Sequence, residues 1–592
     1  MKKTVALLSA TAVAAGNLVA CTPKPVSADP VIEEFVDALQ TRNVDELSSL
    51  VDNPEDAASV YTTTYDGLQA EGVSVDVGQV TQDDTVATAT YTVTWDLPRD
   101  RTLSYDTSVT LTKSENEWTV RWQPSIIHPN LGAHQHLELR PVVAERASVV
   151  SSDGVDIMTP GVQYRLLVDT AEAGDLKSTA ASIAASVEGI DASELAAQLE
   201  ENNPGTYSVG LYDTAPAVSL PGVRINEEPA LMTANADFAP DIMARVRSIV
   251  SDRLDGANGW RVAVVNQEGN ALSDVEFHAA TPSPAIKVSI DSQVQQAAQE
   301  AVNLRADSEA MLVAMRPSTG EILAVAQTAA ADEKGDLALS GQFPPGSVFK
   351  ILTGAAGLDK AGLSSDTIVP CPGTMDLYGR IVTNFDGFSL GNVPLYTAFA
   401  QSCNTSFADI STSLKQGVLK DEAKRFGLGL DYTIPGLTTI TGSVPDGETP
   451  LERTEAGYGQ GADLVSPFGM ALVSSTVAAG VRPLPTLIAG EETTASENPD
   501  GPTPYVLDNL RTMMRQTVTS GTAAGMRAGG TIYGKTGEAE INGGSHAWFT
   551  GFRDDDIAFA TLVVLGGGST TSVNITDHFL QTLDSLRAAP AQ

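Results

Sequence analysis

The spacing of apolar residues changes several times along the chain, and each change predicts a different element. Val31, Phe35, Val36 and Leu39 recur at roughly 3.6-residue spacing, which predicts a helix. Beyond residue 70 the period falls to two. Residues 86–95 and 102–112 alternate, and 118–122 (Trp-Thr-Val-Arg-Trp) reads as a third strand. Residues 31–140 are therefore expected to form helices followed by a curved antiparallel sheet. Residues 141–285 mix short strands with helices at 177–187 and 239–254, and contain no catalytic grouping.

From Ile286 the pattern sharpens. Residues 288–291 lead into a helix carrying Val294, Ala297, Ala298 and Val302. Residues 311–315 read as a buried strand, 316–320 (Arg-Pro-Ser-Thr-Gly) as a hairpin turn, and 321–326 as the partner strand. Three more strands are predicted at 531–539, 547–552 and 557–565. Strands at both ends of this region, with helices between, predict an antiparallel sheet flanked by helices plus a helical lobe. The fold class is thus α+β and multidomain.

The first residues read as a targeting signal. Lys2 and Lys3 precede a mostly apolar run to Ala20, and Leu18-Val19-Ala20 ends at Cys21. Small residues closing on a cysteine resemble the bacterial lipobox. Residues 1–20 are expected to be cleaved, Cys21 to carry lipid, and residues 21–30 to be a tether. The protein is then expected outside the cell, anchored to the outer face of the membrane. The chain carries 74 acidic against 36 basic side chains, a formal net charge of −38, which repels nucleic acid. Cys371 and Cys403 remain; an oxidising compartment permits a disulfide between them, and two buried free thiols fit the sequence equally well. His134 and His136 lack neighbouring ligands, so no metal site is expected.

Three short motifs carry the chemistry. Pro344-Pro345-Gly346 cannot continue a helix whereas residues 348–358 can, so Ser347 sits at a helix start with Lys350 one turn on. A serine hydroxyl needs an adjacent base, and a lysine serves only if burial or a second cation lowers its pKa. Phe349, Ile351 and Leu352 supply apolar neighbours, and Lys535 is the candidate second cation. Ser402-Cys403-Asn404 falls within 395–414, a largely apolar stretch read as helical. Ser402 is suited to relay a proton, and Asn404 offers an acceptor and donors for a peptide backbone. Lys535-Thr536-Gly537 falls in a strand with glycines on both sides of the Lys-Thr pair, so a ligand backbone can approach closely.

Ser347-x-x-Lys350, Ser402-x-Asn404 and Lys535-Thr536-Gly537, in this order, resemble the signature of the serine acyltransferases that react with penicillin. Residues 456–461, 465–467, 521–523 and 546–551 resemble the secondary landmarks of class B penicillin-binding proteins. Residues 122–129 resemble part of the nuclear-transport-factor-like domain found at the N-terminus of some Gram-positive members. Residues 141–285 match in position the pedestal of that class, although its usual Arg-Gly is Arg146-Ala147 here. The resemblance implies a transpeptidase domain over 286–592, with peptidoglycan stem peptides as substrate and β-lactam antibiotics as acylating ligands. It implies no cofactor, and a glycosyltransferase of the division or elongation machinery as partner. Ser347 would be the nucleophile and Lys350 its base. The backbone N–H groups of Ser347 and Glu538 would form an oxyanion hole, each donor contributing roughly 3 kcal/mol. Lys535 and Thr536 would hold the substrate carboxylate.

Glu538 departs from the family, which usually has Thr or Ser there. Sharing a strand face with Thr536, its carboxylate either opposes the substrate's carboxylate or turns away and leaves only its N–H in play. A D,D-carboxypeptidase shares these motifs, and a β-lactam-binding sensor or divisome scaffold without turnover is the reading from another class. Residues 543–547 mimic a hydrolase nucleophile elbow, but they lack its final glycine and lie between strands.

Overall fold

The computed structural model describes residues 26–235 and 238–589. The expected leader and the expected lipidation at Cys21 lie outside the described residues. Two compact units are present, one formed by residues up to 145 with 256–282, the other by 146–255 with 283–592.

In the first unit, helices Asp29–Gln40, Val44–Leu50 and Pro54–Gly67 share a core with a four-stranded antiparallel sheet, Gly72–Gln82, Val86–Leu97, Arg101–Ser114 and Glu117–Val120. The alternation read from sequence is what faces Ala87, Ala89, Tyr91, Val93 and Trp95 into that core. The last strand ends at Val120, short of residue 122. The Trp122 backbone N–H donates to Asp52 Oδ1 (2.7 Å) and its indole N–H to Asp56 Oδ2 (2.8 Å), which takes the chain out of the ladder. The expected tether also ends sooner. Ala28 is fully buried, the helix starts at Asp29, and the Trp118 indole N–H donates to the Val26 carbonyl.

A larger difference concerns residues 256–282, read from sequence as part of the following domain. Gly259–Val265 pairs antiparallel with His136–Val142 and with Ala271–His278, and Val262 and Val264 join the first unit's core. Local periodicity cannot show which distant edge a strand will pair with.

In the second unit, residues 146–255 build a sheet around the long strand Asp156–Asp169, which pairs with both Thr206–Tyr212 and Val223–Thr233. Helices Leu176–Ser186 and Ala192–Glu201 cover it. The helix expected at 239–254 runs Pro240–Val250 and closes in a tighter turn, Ser251–Arg253.

The remainder contains, in chain order, α1 (Ser292–Val302), β1 (Ala310–Met315), β2 (Ile322–Gln327), α2 (Lys350–Lys360), α3 (Leu395–Ala400), α4 (Asn404–Ser413), α5 (Pro467–Ala479), α6 (Pro504–Thr519), β3 (Ile532–Ile541), β4 (Gly544–Arg553), β5 (Ile557–Val563) and α7 (Thr570–Ala588). The sheet order is β2-β1-β5-β4-β3, antiparallel throughout. Strands β1, β2 and β5 are apolar almost without alternation because both faces are covered. Leu312 and Ala314 pack in one cluster with α1 and α7, whereas Met311, Val313 and Met315 pack in the other with α5. Helix α5 is almost wholly buried, enclosed between sheet and lobe, with the hydroxyls of Ser474, Ser475 and Thr476 hydrogen-bonded inside the core. This leaves β3 as an edge strand facing the lobe. Among the described residues, no helix is long and apolar enough to cross a membrane.

Candidate active site

Ser347 lies in a short 3-10 turn, Gly346–Phe349, that feeds directly into α2. One contact holds this turn against β4 and a second ties it to the loop at Gly459. The Trp548 indole N–H donates to the Pro344 carbonyl at 3.0 Å, and the Gly346 N–H donates to the Gly459 carbonyl at 3.0 Å. Gly346 adopts φ +53°, and a Cβ there would lie 2.3 Å from the Glu538 carbonyl oxygen. A Cβ at Gly537 would lie 2.9 Å from Val348 Cγ1 and 3.0 Å from the Pro345 carbonyl oxygen. Both glycines are therefore required for the backbone of β3 to lie against the turn that carries Ser347.

The Ser402-Cys403-Asn404 motif is not within one helix, as its apolar surroundings suggested. Helix α3 stops at Ala400, Ser402 takes φ +61°, and α4 starts at Asn404. At this break Ser402 faces the two lysines, its Oγ 3.3 Å from Lys350 Nζ and 3.0 Å from Lys535 Nζ. A non-glycine residue in this left-handed region costs energy unless the surroundings enforce it.

Lys350 is fully buried, and its Nζ reaches four oxygens: Asn404 Oδ1 (2.7 Å), the Ser402 carbonyl (2.8 Å), Ser347 Oγ (2.9 Å) and Ser402 Oγ (3.3 Å). The two nearest can only accept. A neutral amine satisfies both with its N–H bonds and keeps its lone pair for the Ser347 hydroxyl. Burial, reinforced by the charge of Lys535, holds Lys350 well below the usual lysine range and favours that neutral form. Lys535, also fully buried, donates to Ser402 Oγ (3.0 Å) and to the Thr536 carbonyl (2.8 Å). Burial brings its pKa down to about 7. The rings of Phe407 and Phe399 flank the two amines, with centroids 5.7 and 5.5 Å away.

Ser347, Ser402, Asn404, Thr536, Gly537 and Glu538 line a single groove of about 680 Å³. Thr536 Oγ1 lies 2.5 Å from Thr522 Oγ1, a partner from a loop that only the flanking landmarks had pointed to. Glu538 lines the groove with its carboxylate held by Ser545 Oγ at 2.8 Å, so the side chain neither turns away nor hangs free. Asn404 uses its Nδ2 on the Thr383 carbonyl, 2.9 Å away. Cys371 and Cys403 are bonded, Sγ to Sγ 2.12 Å. Sequence reasoning missed Asn384 and Arg380, which line the same groove and whose segments carry no motif or periodicity that marks them, whereas Tyr458, also in the lining, falls within the 456–461 landmark. Among the described residues, no group of three His, Cys, Asp or Glu side chains is arranged to hold a metal.

Comparison with known proteins agrees with this geometry. Residues 310–581 match the penicillin-binding protein transpeptidase domain, and residues 27–135 match the NTF2-like N-terminal transpeptidase domain. A peptidoglycan D,D-transpeptidase, PbpA of Mycolicibacterium smegmatis, is 30% identical over 336 residues, covering 48% of this chain and 67% of that protein. Penicillin-binding protein 3 of Bacillus subtilis is 23% identical but runs alongside 90% of this chain and 91% of its own. Among solved structures, PBP2 of Helicobacter pylori, in complex with MreC, superposes with a TM-score of 0.56 at 16% identity, over 76% of this chain and 99% of that one, a likeness of fold. The chain belongs to the penicillin-binding protein transpeptidase family, as a class B member with an NTF2-like N-terminal domain.

Proposed function

We propose that this protein is a serine D,D-transpeptidase that cross-links peptidoglycan stem peptides through an acyl-enzyme on Ser347, and that β-lactams acylate the same hydroxyl. The observation that carries the reading is the environment of Lys350, a buried amine whose two best hydrogen-bond partners are pure acceptors and whose third is Ser347 Oγ. Neutral Lys350 takes the Ser347 proton as Oγ attacks the penultimate D-alanine carbonyl. The oxyanion forms against the N–H groups of Ser347 and Glu538, at the place where Gly346 and Gly537 let strand and turn meet. Ser402, between Lys350 and Lys535, passes a proton to the leaving D-alanine amine. Lys535, Thr536 and Thr522 receive the terminal carboxylate. Asn404 keeps Lys350 aligned and borders the peptide path. An amine from a neighbouring strand then attacks the acyl-enzyme and releases Ser347.

The same reading puts the mature protein outside the cell, held to the membrane by lipid on Cys21, with a glycosyltransferase of the division or elongation machinery nearby. It rests on the leader pattern of residues 1–21 and on the company such transpeptidases keep. Intact-mass spectrometry after exposure to penicillin tests the central claim. One penicilloyl adduct is expected on the wild type and none on Ser347→Ala; an unmodified wild type would overturn it.

A further inference from the structure

The break that presents Ser402 has no capping group of its own. Cys403, the residue before α4, is committed to its disulfide and makes no side-chain cap. The cap comes from elsewhere. Asn384 lies twenty residues upstream, only 3% exposed, and inserts its side-chain amide at the start of α4. Its Oδ1 accepts from the N–H of Asn404 (2.8 Å) and of Thr405 (3.2 Å). Its Nδ2 donates to the carbonyls of Pro372 and Phe388, each at 2.9 Å. Both N–H groups on the α4 side are donors and both partners on the other side are acceptors, so only one orientation of the amide fits. All of its hydrogen-bonding capacity is spent on joining the 372–388 segment to the helix start.

We propose that Asn384 is a positioning residue for acyl transfer, which sets the backbone of 402–404 and through it the alignment of Lys350. The chain of contacts is continuous. Asn384 fixes the Asn404 and Thr405 N–H groups, Asn404 Oδ1 and the Ser402 carbonyl hold Lys350 Nζ, and Ser402 Oγ lies between the two lysines. The neighbours of Asn384 bind on both sides. The Thr383 carbonyl accepts from Asn404 Nδ2, while Thr383 and Phe385 line the groove. The wall that meets the substrate and the turn that orients the base therefore share one strut. Losing it costs more than helix-capping energy. Small displacements of reacting groups cost rate steeply, and a loosened turn lets water reach Lys350 and relieves the burial that keeps it neutral.

This inference rests on the acyl-enzyme reading of Ser347, so the experiment first establishes labelling of the wild type by a fluorescent penicillin, with Ser347→Ala as the silent control. Absence of that labelling refutes the reading itself, whatever Asn384 does. Second-order acylation rates are then measured from pH 5 to 9 for Asn384→Ala and for Asn384→Asp, which keeps an oxygen facing the two N–H groups, alongside thermal midpoints. Expected for Asn384→Ala is a loss of roughly a hundredfold. Its rising pH limb should also move to higher pH, because a rehydrated Lys350 holds its proton more tightly. Asn384→Asp should recover part of the rate through its cap oxygen, but its limb should stay at or above that of Asn384→Ala, because its second oxygen faces the Pro372 and Phe388 carbonyls and its charge favours protonated Lys350. A folded variant with wild-type rate and limb overturns the proposal. So does a rate loss that follows the thermal midpoint while the limb stays put, which marks a merely structural role. Failure of both variants to fold likewise makes Asn384 a folding residue and overturns it.

Discussion

The two sides of the groove are built on different principles. On one side β3 places Lys535, Thr536 and Glu538 by ladder register alone, with Thr536 opposite Phe549 and Glu538 opposite Ala547. On the other, Ser402 and Cys403 lie in the break between α3 and α4, and the left-handed backbone of Ser402 is imposed from outside. Asn384, the Cys371–Cys403 bond, Thr405 Oγ1 on the Pro372 carbonyl and Ser406 Oγ on the Pro370 carbonyl supply the restraint. A strand positions a side chain through its own hydrogen bonds, whereas an irregular turn needs struts from a remote segment. The β3 side should therefore lose chemistry one residue at a time, and the helical side should lose alignment when any strut goes.

The largest effect is expected at the point where the two sides meet. Lys350→Ala removes the base and the group that gathers Ser347, Ser402 and Asn404. Acylation should fall by about a thousandfold or more, measured at temperatures where the variant is folded, since Asn404 Oδ1 and the Ser402 carbonyl also lose a buried donor. Stopped-flow acylation with a chromogenic β-lactam reads this directly, and a residual rate within tenfold of wild type would remove Lys350 from the mechanism.

Next comes the disulfide, which tests the helical side alone. It closes a loop with sequence separation 32, so replacing both cysteines by serine should cost about 3–4 kcal/mol of stability on the chain-entropy account. Because it also ties Cys403 to the segment carrying Asn384, acylation should slow even at temperatures where the variant is fully folded. Denaturation monitored beside acylation separates the two effects. An unchanged rate in the folded variant would mean that the hydrogen bonds hold the turn unaided.

The contrast also explains what was legible in the sequence. The five-stranded sheet was readable because strands buried on both faces are short unbroken apolar runs between turn signals, as in 311–315 and 557–565. Lys535 and Thr536 followed from a strand whose period fixes their direction. The break at Ser402 was hidden because Ala398, Phe399, Phe407 and Ile410 keep an apolar pattern on both sides of it. The first helix ends on a long-range partner, since its Ala400 carbonyl accepts from the Thr522 N–H at 3.1 Å, an approach that leaves no room for a Cβ at Gly521. Asn384 was unreadable for the same reason. Its four partners lie in three separate stretches of sequence, and an asparagine beside an exposed hairpin looks like an ordinary turn residue. The pairing of 259–265 with 136–142 escaped because register with a distant edge leaves no local trace.

The β3 side makes a pH prediction of roughly hundredfold size. Acylation by a carboxylate-bearing ligand needs Lys350 neutral and Lys535 charged. Burial and Lys535 both push Lys350 downwards, so the rate rises with pH as Lys350 loses its proton. It then falls as pH passes about 7, where free Lys535 loses its own. Lys535→Gln should lower the plateau about a hundredfold and abolish the falling limb. It should also shift the rising limb to higher pH, because the neighbouring positive charge that disfavoured protonation of Lys350 is gone. A rising limb unmoved in this variant would mean the two amines are not coupled.

The smallest effect belongs to Glu538 and bears on the β3 side alone. Its carboxylate, held by Ser545 in the groove wall, shares a strand face with Thr536, where the ligand's carboxylate arrives. Two like charges about 7 Å apart, partly screened by solvent, repel by roughly 1–2 kcal/mol, which corresponds to about a tenfold change in rate. Glu538→Thr should therefore accelerate acylation by an anionic penicillin by about that factor, and the gain should shrink as salt screens the repulsion in the wild type. The helical side should not register the change, so the pH limb set by Lys350 stays where it was. Equal rates at low salt would mean that the Ser545 hydrogen bond has already turned the charge out of the ligand's path, leaving the Glu538 N–H as the residue's whole contribution.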